Sequence, residues 1–463
     1  MKLKNFTTLE IKSLLKGIVP EDHILHRPED LICYSYDAYL VRRLPDLVII
    51  PTGVNEISDV IKLAVKYNIP VIPRGLGSGF TGGAIPIYGG IVISLERLDK
   101  IISIDRNSMV AIVESGVITD ILKKEVLKQG LFYPPDPSSS GFSTIGGNVA
   151  ESAGGLRGLK YGYTKNYVIG LEFIDGRGEI NKTGYLNPGG NCFPGLTNIL
   201  ISSEGTLGII TKVALRLLKN IQNFTTFFVC VENLGYAAEI IGSLLQIEET
   251  PSVLEIVDRA TIKAILNYKK FDVPARTRAF LLVEFDTTID DTKIIKIFKE
   301  NNALLINKAI DEKERLNLWS MRKSISPSLV NIAPDKFNED IVVPVSKLKV
   351  MLEFIEYLSE KYNIMIPTYG HAGDGNLHVN IMINRKNETE FKNMKKALNE
   401  IFDKVIELGG TLSGEHGIGL AKSNFLYKEY SENEMRLSES LKKCFDPYCI
   451  INPGKILPAK VSV

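Results

Sequence analysis

The sequence predicts an α+β protein in two parts, a first part built around glycine-rich loops and a second with a mainly antiparallel sheet carrying helices. Three observations predict this. Three glycine-rich segments, Pro73–Gly83, Tyr133–Gly155 and Ser203–Thr211, lie between strand and helix patterns in the first part of the chain. After about residue 220 the texture changes to the apolar runs FTTFFVCV, SVLEIV, AFLLVEF and EDIVVP, separated by helical patterns such as Leu234–Leu245 and Val345–Tyr362. Finally, 463 residues exceed one ordinary core, so two or three domains are expected.

Composition narrows the function classes. With 44% hydrophobic and 24% charged residues the chain reads as soluble and globular. A net charge of +1, with both signs interspersed, leaves no footprint for nucleic acid. No apolar run approaches the roughly 18 residues of a membrane span. The N-terminal stretch lacks the continuous apolar centre of a signal peptide. It carries a capping-box spacing at Thr7 and Glu10, and Phe6, Leu9, Leu14, Leu15 and Ile18 fall along one helical face. Packing onto the protein is the reading taken for this helix, with a peripheral contact at the inner face of a membrane as the alternative. The five cysteines, Cys33, Cys192, Cys230, Cys444 and Cys449, form no CxxC and read as free thiols in a reducing cytoplasm. They offer no iron–sulfur ligand set.

In chain order, LVII from Leu47 is a strand, Asn55 a cap, and Ile57, Val60, Ile61, Ala64 and Val65 the apolar face of a helix leading to the strand PVIP. The loop PRGLGSGFTGG contains a literal GxGxxG at Gly77, Gly79 and Gly82. A dinucleotide fingerprint must open a helix, yet AIPIYGGIVISL follows here, so the Rossmann reading fails on context. Successive N–H groups of such a loop can still form a nest for a phosphate, against the plainer reading of a glycine-rich turn. The stretch YPPDPSSSGFSTIGGNVAESAGG reads as a long functional loop without regular structure, between MVAIVESG and TDILKKEVLKQG upstream and SEGTLGIIT downstream. Three such segments suit an extended ligand with a diphosphate and flat rings. The tail FDPYCIINPGKIL is apolar enough to pack back onto the protein.

Three of the five histidines fall in two glycine-rich phrases, PTYGHAGDGNLHVN and GEHGIG. In LHVNIMI, Leu377, Val379, Ile381 and Ile383 alternate with His378 and Asn380, so a strand would place the two polar residues on one face. A turn can bring His371 to His378. With Glu415 they would form an open site for Zn²⁺, Mn²⁺ or Fe²⁺. His416, whose side chain diverges from its neighbour's, suits a general base, and Asp374 an orienting group. Arg322, following the single tryptophan Trp319 on a helical pattern, suits a substrate carboxylate or an ordinary amphipathic surface. Lys336 is a weaker candidate of the same kind.

These motifs, in this order over nearly the whole chain, resemble the FAD-linked 2-hydroxyacid dehydrogenases of the vanillyl-alcohol oxidase superfamily. The branch is that of the glycolate oxidase D subunit and the D-lactate dehydrogenases, including the dehydrogenase subunit of electron-bifurcating complexes. The resemblance implies a two-part FAD-binding domain of the vanillyl-alcohol oxidase type over 1–220, with a helical extension over 1–40. A cap domain over 221–410 and a segment over 411–463 returning to the FAD domain complete the division. Contacts to FAD are implied for Pro73, Arg74, Gly75, Gly77, Ser78, Gly79, Thr81 and Gly82 in the first loop. In the second they fall on Pro135, Asp136, Ser138, Thr144, Gly146, Gly147, Asn148, Gly154 and Gly155. Glu204, Gly205, Gly208, Ile209, Ile210 and Asn452 complete the implied set. Ser78 stands where covalent relatives carry histidine, so the FAD is expected to be non-covalent.

By the same resemblance His371, His378 and Glu415 are the metal ligands, His416 the base, and Arg322 the carboxylate clamp, with Lys336 and Asn380 toward substrate. Asn338 stands where some relatives place a lysine, which bears on substrate preference. The implied reaction is oxidation of a D-2-hydroxy acid, D-lactate to pyruvate first and glycolate or D-2-hydroxyglutarate as alternatives. The hydroxyl proton passes to His416 and the C2 hydride to flavin N5. Electrons are then expected to leave to an electron-transfer flavoprotein or an iron–sulfur subunit. Two readings of other classes compete: a metal-dependent hydrolase on the histidine site, and a non-catalytic nucleotide-binding subunit.

Overall fold

The structure, a computed structural model, describes residues 7–187, 195–221 and 223–457, so Phe6 and Cys192 lie outside the described residues. The chain divides into two units: residues 1–154, 163–220 and 415–463 form the first, and residues 155–162 and 221–414 the second.

In the first unit the strands Ile24–Leu25, Leu47–Ile49, Ile91–Ser94 and Val71–Arg74 lie side by side in that order. The last three run parallel, and their near-continuous apolar runs are buried on both faces. The helix Val54–Tyr67 crosses between two of them and buries Ile57, Val60, Ile61 and Ala64, as the spacing predicts. Its cap is Gly53 rather than Asn55, which falls inside the first turn. No helix follows Arg74: the glycine loop runs on to the strand Ile91–Ser94, as expected from the failed Rossmann context. A second, fully antiparallel sheet takes the order Ile101–Asp105, Val110–Glu114, Ile209–Arg216, Val168–Ile174, Ile180–Lys182. The tail returns to this unit beside Val71, which donates to Ile450 O at 2.8 Å and accepts from Asn452 N at 2.7 Å.

Two local expectations need correction. The capping box at Thr7 and Glu10 forms, but the buried stripe of the first helix is Ile11 and Leu15, continued by Val19, while Leu9 is 70% exposed. The long second loop is also not without regular structure. Ile145–Glu151 is a helix, capped by Thr144 accepting from Gly147 N at 3.2 Å. Its two glycines hide it from a propensity reading, and tertiary packing overrides them: a Cβ on Gly146 would collide with Ser115.

The second unit is built on seven strands, every neighbouring pair antiparallel. Their order is Leu305–Lys308, Thr225–Val231, Ala279–Phe285, Val253–Asp258, Thr368–His371, Asn376–Ile383, Asp335–Val342. The apolar runs seen in the sequence supply four of them. Residues 155–162, expected to belong with the first part, belong here for a physical reason. Leu156 packs with Val253, Leu282 and Trp319. Arg157 lies 3.3 Å from Glu284, Lys160 pairs with Asp286, and Tyr161 donates to Asp286 at 2.6 Å. A buried carboxylate needs such partners wherever the chain can supply them. The boundary near 410 likewise moves to Gly414, whose N–H donates to Asp340 at 2.8 Å.

Glu284 has no exposed side-chain surface and accepts from Thr226 Oγ1, Arg315 Nε and Trp319 Nε1 at 2.8, 2.9 and 2.8 Å. Glu284→Ala strands those donors and is expected to destabilise the second unit by about 3–5 kcal/mol. Denaturant unfolding followed by the fluorescence of Trp319, the single tryptophan, measures it; an unchanged midpoint would contradict the assignment.

Candidate active site

The two histidines seven residues apart meet because the chain between them folds as a hairpin. Thr368–His371 pairs with Asn376–Ile383 so that Tyr369 stands opposite His378 and His371 opposite Asn376. His371 and His378 are therefore diagonal neighbours on one face, within side-chain reach. Their Nε2 atoms lie 3.4 Å apart, with ring planes at 88°. Both side chains are buried. Leu377, Val379, Ile381 and Ile383 occupy the other face of their strand, also buried, as the alternation predicts.

Each histidine has a carboxylate directly opposite on the next strand, which the sequence reading missed. Glu255 stands across from His371 and Asp340 across from His378. Glu255 bonds His371 Nδ1 through one oxygen and accepts from Arg322 Nε through the other at 2.6 Å. Burial alone would raise its pKa, but the electrostatic and hydrogen-bond contributions of its neighbours His371 and Arg322 outweigh burial and hold it below the ordinary carboxylate value. Arg322 also lies over the Tyr369 ring, 4.6 Å from its centroid. Asp340 is engaged otherwise. It accepts from Asn376 Nδ2 at 2.5 Å, Ser413 Oγ at 3.1 Å and Gly414 N at 2.8 Å, and stands 3.8 Å from His378 Nδ1. Glu255 and Asp340 lie far from the histidines in sequence, so the histidine phrases themselves do not announce them.

The same face continues along the sheet. Asn338 pairs with Asn380 and Lys336 with Met382, placing Lys336, Asn338 and Asp340 in one row beside His378 and Asn380. Asn380 Nδ2 donates to Pro367 O and His378 O at 3.3 and 3.1 Å. Its Oδ1 and that of Asn338 are shielded from water and meet no hydrogen-bond partner among the described residues. Burial lowers the pKa of Lys336. Asp374 braces the hairpin turn, accepting from Asn376 N at 3.4 Å.

In the first unit the expected cofactor loops interlock. Arg74 is buried and donates to Tyr36 O at 2.8 Å and Cys33 O at 3.3 Å, so the segment around Cys33–Tyr39 straps the first loop. Gly77 has φ +69°, and a Cβ there would overlap the Arg74 guanidinium. Among the described residues the N–H groups of Leu76, Gly77, Ser78 and Gly79 donate to no main-chain carbonyl. Such a run suits an anion. Other candidates have structural tasks. Asn148 Nδ2 donates to Thr119 Oγ1 at 2.7 Å, Asp136 pairs with Lys123, and Ile209 and Ile210 are buried at the start of a strand. Asn452 ties the first and third loops together, donating to Gly83 O at 2.9 Å and Glu204 O at 2.8 Å. Gly155 opens the excursion into the second unit.

Glu415 and His416 belong to this first unit. The His416 ring stacks on Phe80, centroids 4.6 Å apart, and its carbonyl accepts from Thr81 Oγ1 at 3.4 Å. The rest of the GEHGIG phrase is held by Glu204, which accepts from Ile418 N and Gly419 N at 2.6 and 2.7 Å. Glu151 and Glu204 flank Gly417, whose φ of +84° and lack of a Cβ admit both carboxyl groups. Glu151 Oε2 is shielded and meets no hydrogen-bond partner among the described residues. Burial, then the charge of Glu204, push the Glu151 carboxyl well above its ordinary value. Burial pushes Glu204 up to about 7 against the opposing N–H bonds and the charges of Lys422 and Lys455.

These residues fit the groups the sequence implies. Two nitrogens on one ion at about 2.0–2.1 Å each stand roughly 3.0–3.4 Å apart, and the histidine pair is already at that separation. The first loop offers N–H groups to a diphosphate.

The comparisons with known proteins agree in fold. Residues 45–184 match the family described as FAD binding domain, and residues 222–456 the family described as FAD linked oxidases, C-terminal domain. The chain is 39% identical over 431 residues to the glycolate oxidase subunit GlcD of Bacillus subtilis (strain 168), covering 92% of each. It is 32% identical over 467 residues to a D-lactate dehydrogenase of Anaerostipes hadrus, covering 98% of each. Its fold matches a structure of p-cresol methylhydroxylase with a TM-score of 0.82 at 17% identity, covering 100% of this chain and 99% of that one.

The carboxyl pair around Gly417 gives a pH dependence. A carboxyl whose folded pKa is raised stabilises fully below its unfolded value of about 4.5 and loses that contribution as pH rises through its folded value, about 7 for Glu204. Thermal stability of the first unit is therefore expected to fall between roughly pH 5 and 7, and Glu151→Gln to flatten that fall. Parallel pH profiles for the two proteins would contradict the pairing.

Proposed function

The chain belongs to the FAD-linked oxidase family, and on that premise we propose that it oxidises a D-2-hydroxy acid, with D-lactate to pyruvate placed ahead of glycolate and D-2-hydroxyglutarate. The observation that carries the reading is the buried pair His371–His378, its Nε2 atoms 3.4 Å apart, in a chain whose other unit carries the FAD-binding match. A metal-dependent hydrolase has no use for such a unit. The names of the relatives support the substrate class, since they act on glycolate and D-lactate.

In this reading His371 and His378 hold one divalent ion, Zn, Mn or Fe, with Glu415 as the third ligand on the strength of its sequence phrase. When bound, the ion lowers the pKa of an alcohol and FAD supplies the two-electron acceptor. His416 accepts the hydroxyl proton, its ring plane fixed by Phe80. Asn380 Oδ1, buried and lacking a protein donor among the described residues, accepts from the substrate. Lys336 and Arg322 supply positive charge toward the substrate carboxylate. Burial weakens the charged form of Lys336, and a bound carboxylate restores it. Asn338, standing beside Asn380 where some relatives place a lysine, leaves the distal end of the substrate without that cation. This favours a short monocarboxylate such as lactate. The electron acceptor of the bound FAD would be a partner protein, an electron-transfer flavoprotein or an iron–sulfur subunit. Among the described residues no helix is long and apolar enough to cross a membrane.

Anaerobic addition of D-lactate is expected to bleach the flavin band near 450 nm (a general property of flavins), with L-lactate inert and D-2-hydroxyglutarate slower. Bleaching by none of the hydroxy acids would overturn the reading. His416→Ala is expected to slow reduction by about 10²–10⁴-fold while FAD remains bound; rapid reduction in the variant would remove His416 from the base role.

A further inference from the structure

We propose that Glu255 is the positioning residue of the metal site, fixing His371 with Nε2 bare toward the ion, and that Arg322 acts on the ion through Glu255. The proposal rests on the reading of His371 and His378 as metal ligands.

The sheet register makes the contact. Glu255 and His371 are directly opposed on neighbouring antiparallel strands, and the Glu255 side chain is completely buried. A carboxylate so placed is stable only if both oxygens are matched. Here one oxygen meets His371 Nδ1 and the other accepts from Arg322 Nε at 2.6 Å. Because Arg322 balances the charge, His371 need not be protonated. It can donate its Nδ1–H to Glu255 and keep a lone pair on Nε2. That is the tautomer a ligand requires, and a carboxylate behind the ring raises its basicity. Without Glu255 the proton could sit on either nitrogen, and the ring could turn.

Arg322 is in turn held over the Tyr369 ring, two residues from His371 and on the same strand face. Glu255, held by Arg322, thus braces His371, while the Tyr369 ring packs against His378 with centroids 5.3 Å apart. This changes the expectation for Arg322 as a simple carboxylate clamp: its Nε edge is committed to Glu255. Asp340 does not duplicate the role for His378. It is 3.8 Å from His378 Nδ1, and its oxygens accept from Asn376, Ser413 and Gly414. The site therefore has one histidine braced by a carboxylate and one whose carboxylate neighbour serves the adjoining loop.

The test is metal affinity measured without substrate, which a carboxylate clamp would leave unchanged. FAD-loaded wild type, Glu255→Gln, Arg322→Met and Arg322→Lys are stripped of metal and titrated with Mn²⁺ and Zn²⁺ against a chelator. FAD absorbance and Trp319 fluorescence report that each variant is folded. Glu255→Gln and Arg322→Met are expected to lose about 10–100-fold in affinity, with Arg322→Lys recovering part of the loss. Affinities within twofold of wild type in both would overturn the proposal. If wild type and a His371→Ala, His378→Ala double variant bind the ions equally, the metal reading itself falls, and the assignment with it.

Discussion

A carboxylate taken out of water must be met by charge or by hydrogen-bond donors on every side, and the second unit is organised by that constraint. Glu255, Glu284 and Asp340 are all fully or almost fully buried on its central sheet. Glu284 gathers Arg315, Trp319 and the excursion residue Arg157. Glu255 gathers Arg322 and His371. Asp340 gathers the hairpin through Asn376 and the exit of the chain through Gly414. An unmatched buried charge costs several kcal/mol, so these three side chains fix the ends of distant segments against one sheet. The histidines inherit their positions from that arrangement, and the metal reading depends on it.

The first unit solves a different problem, the holding of irregular loops. Glycine-rich chain has little apolar surface to bury and much conformational entropy to lose. Its loops are secured by polar ties. Arg74 bonds the strap around Cys33–Tyr39, Asn452 joins Gly83 to the third loop, and Glu204 holds the Ile418–Gly419 turn. The tail that supplies Asn452 also extends beside the strand beginning at Val71. The family's glycine motifs are thus as much about mutual packing of loops as about reaching a cofactor. Gly77, which leaves room for the Arg74 guanidinium, is one case; Gly146, closed against Ser115, is another.

Much of this was legible in the sequence because it is periodic or local. The helix Val54–Tyr67, four apolar strands of the second part, the alternation in LHVNIMI and the capping box at Thr7 follow from spacing alone. The helix Ile145–Glu151 was not, since two glycines argue against it locally and the packing that sustains it comes from Ser115. The excursion of residues 155–162 was not legible either, because its partners Glu284 and Asp286 lie more than a hundred residues away. The histidine pair could be anticipated from its phrase. Glu255, which completes it, sits inside SVLEIV as one acidic residue in an apolar strand. That interruption of a buried run was the available signal: a charge in the middle of such a strand requires a partner.

The central claim is that the sheet holds His371 and His378 ready for one metal ion. Anomalous diffraction from crystals grown with Mn²⁺ or Zn²⁺ tests it most directly. A single peak about 2.0–2.2 Å from both Nε2 atoms, with Glu255 still on His371 Nδ1, is the expected result. A peak elsewhere, or His371 ligating through Nδ1, would contradict it.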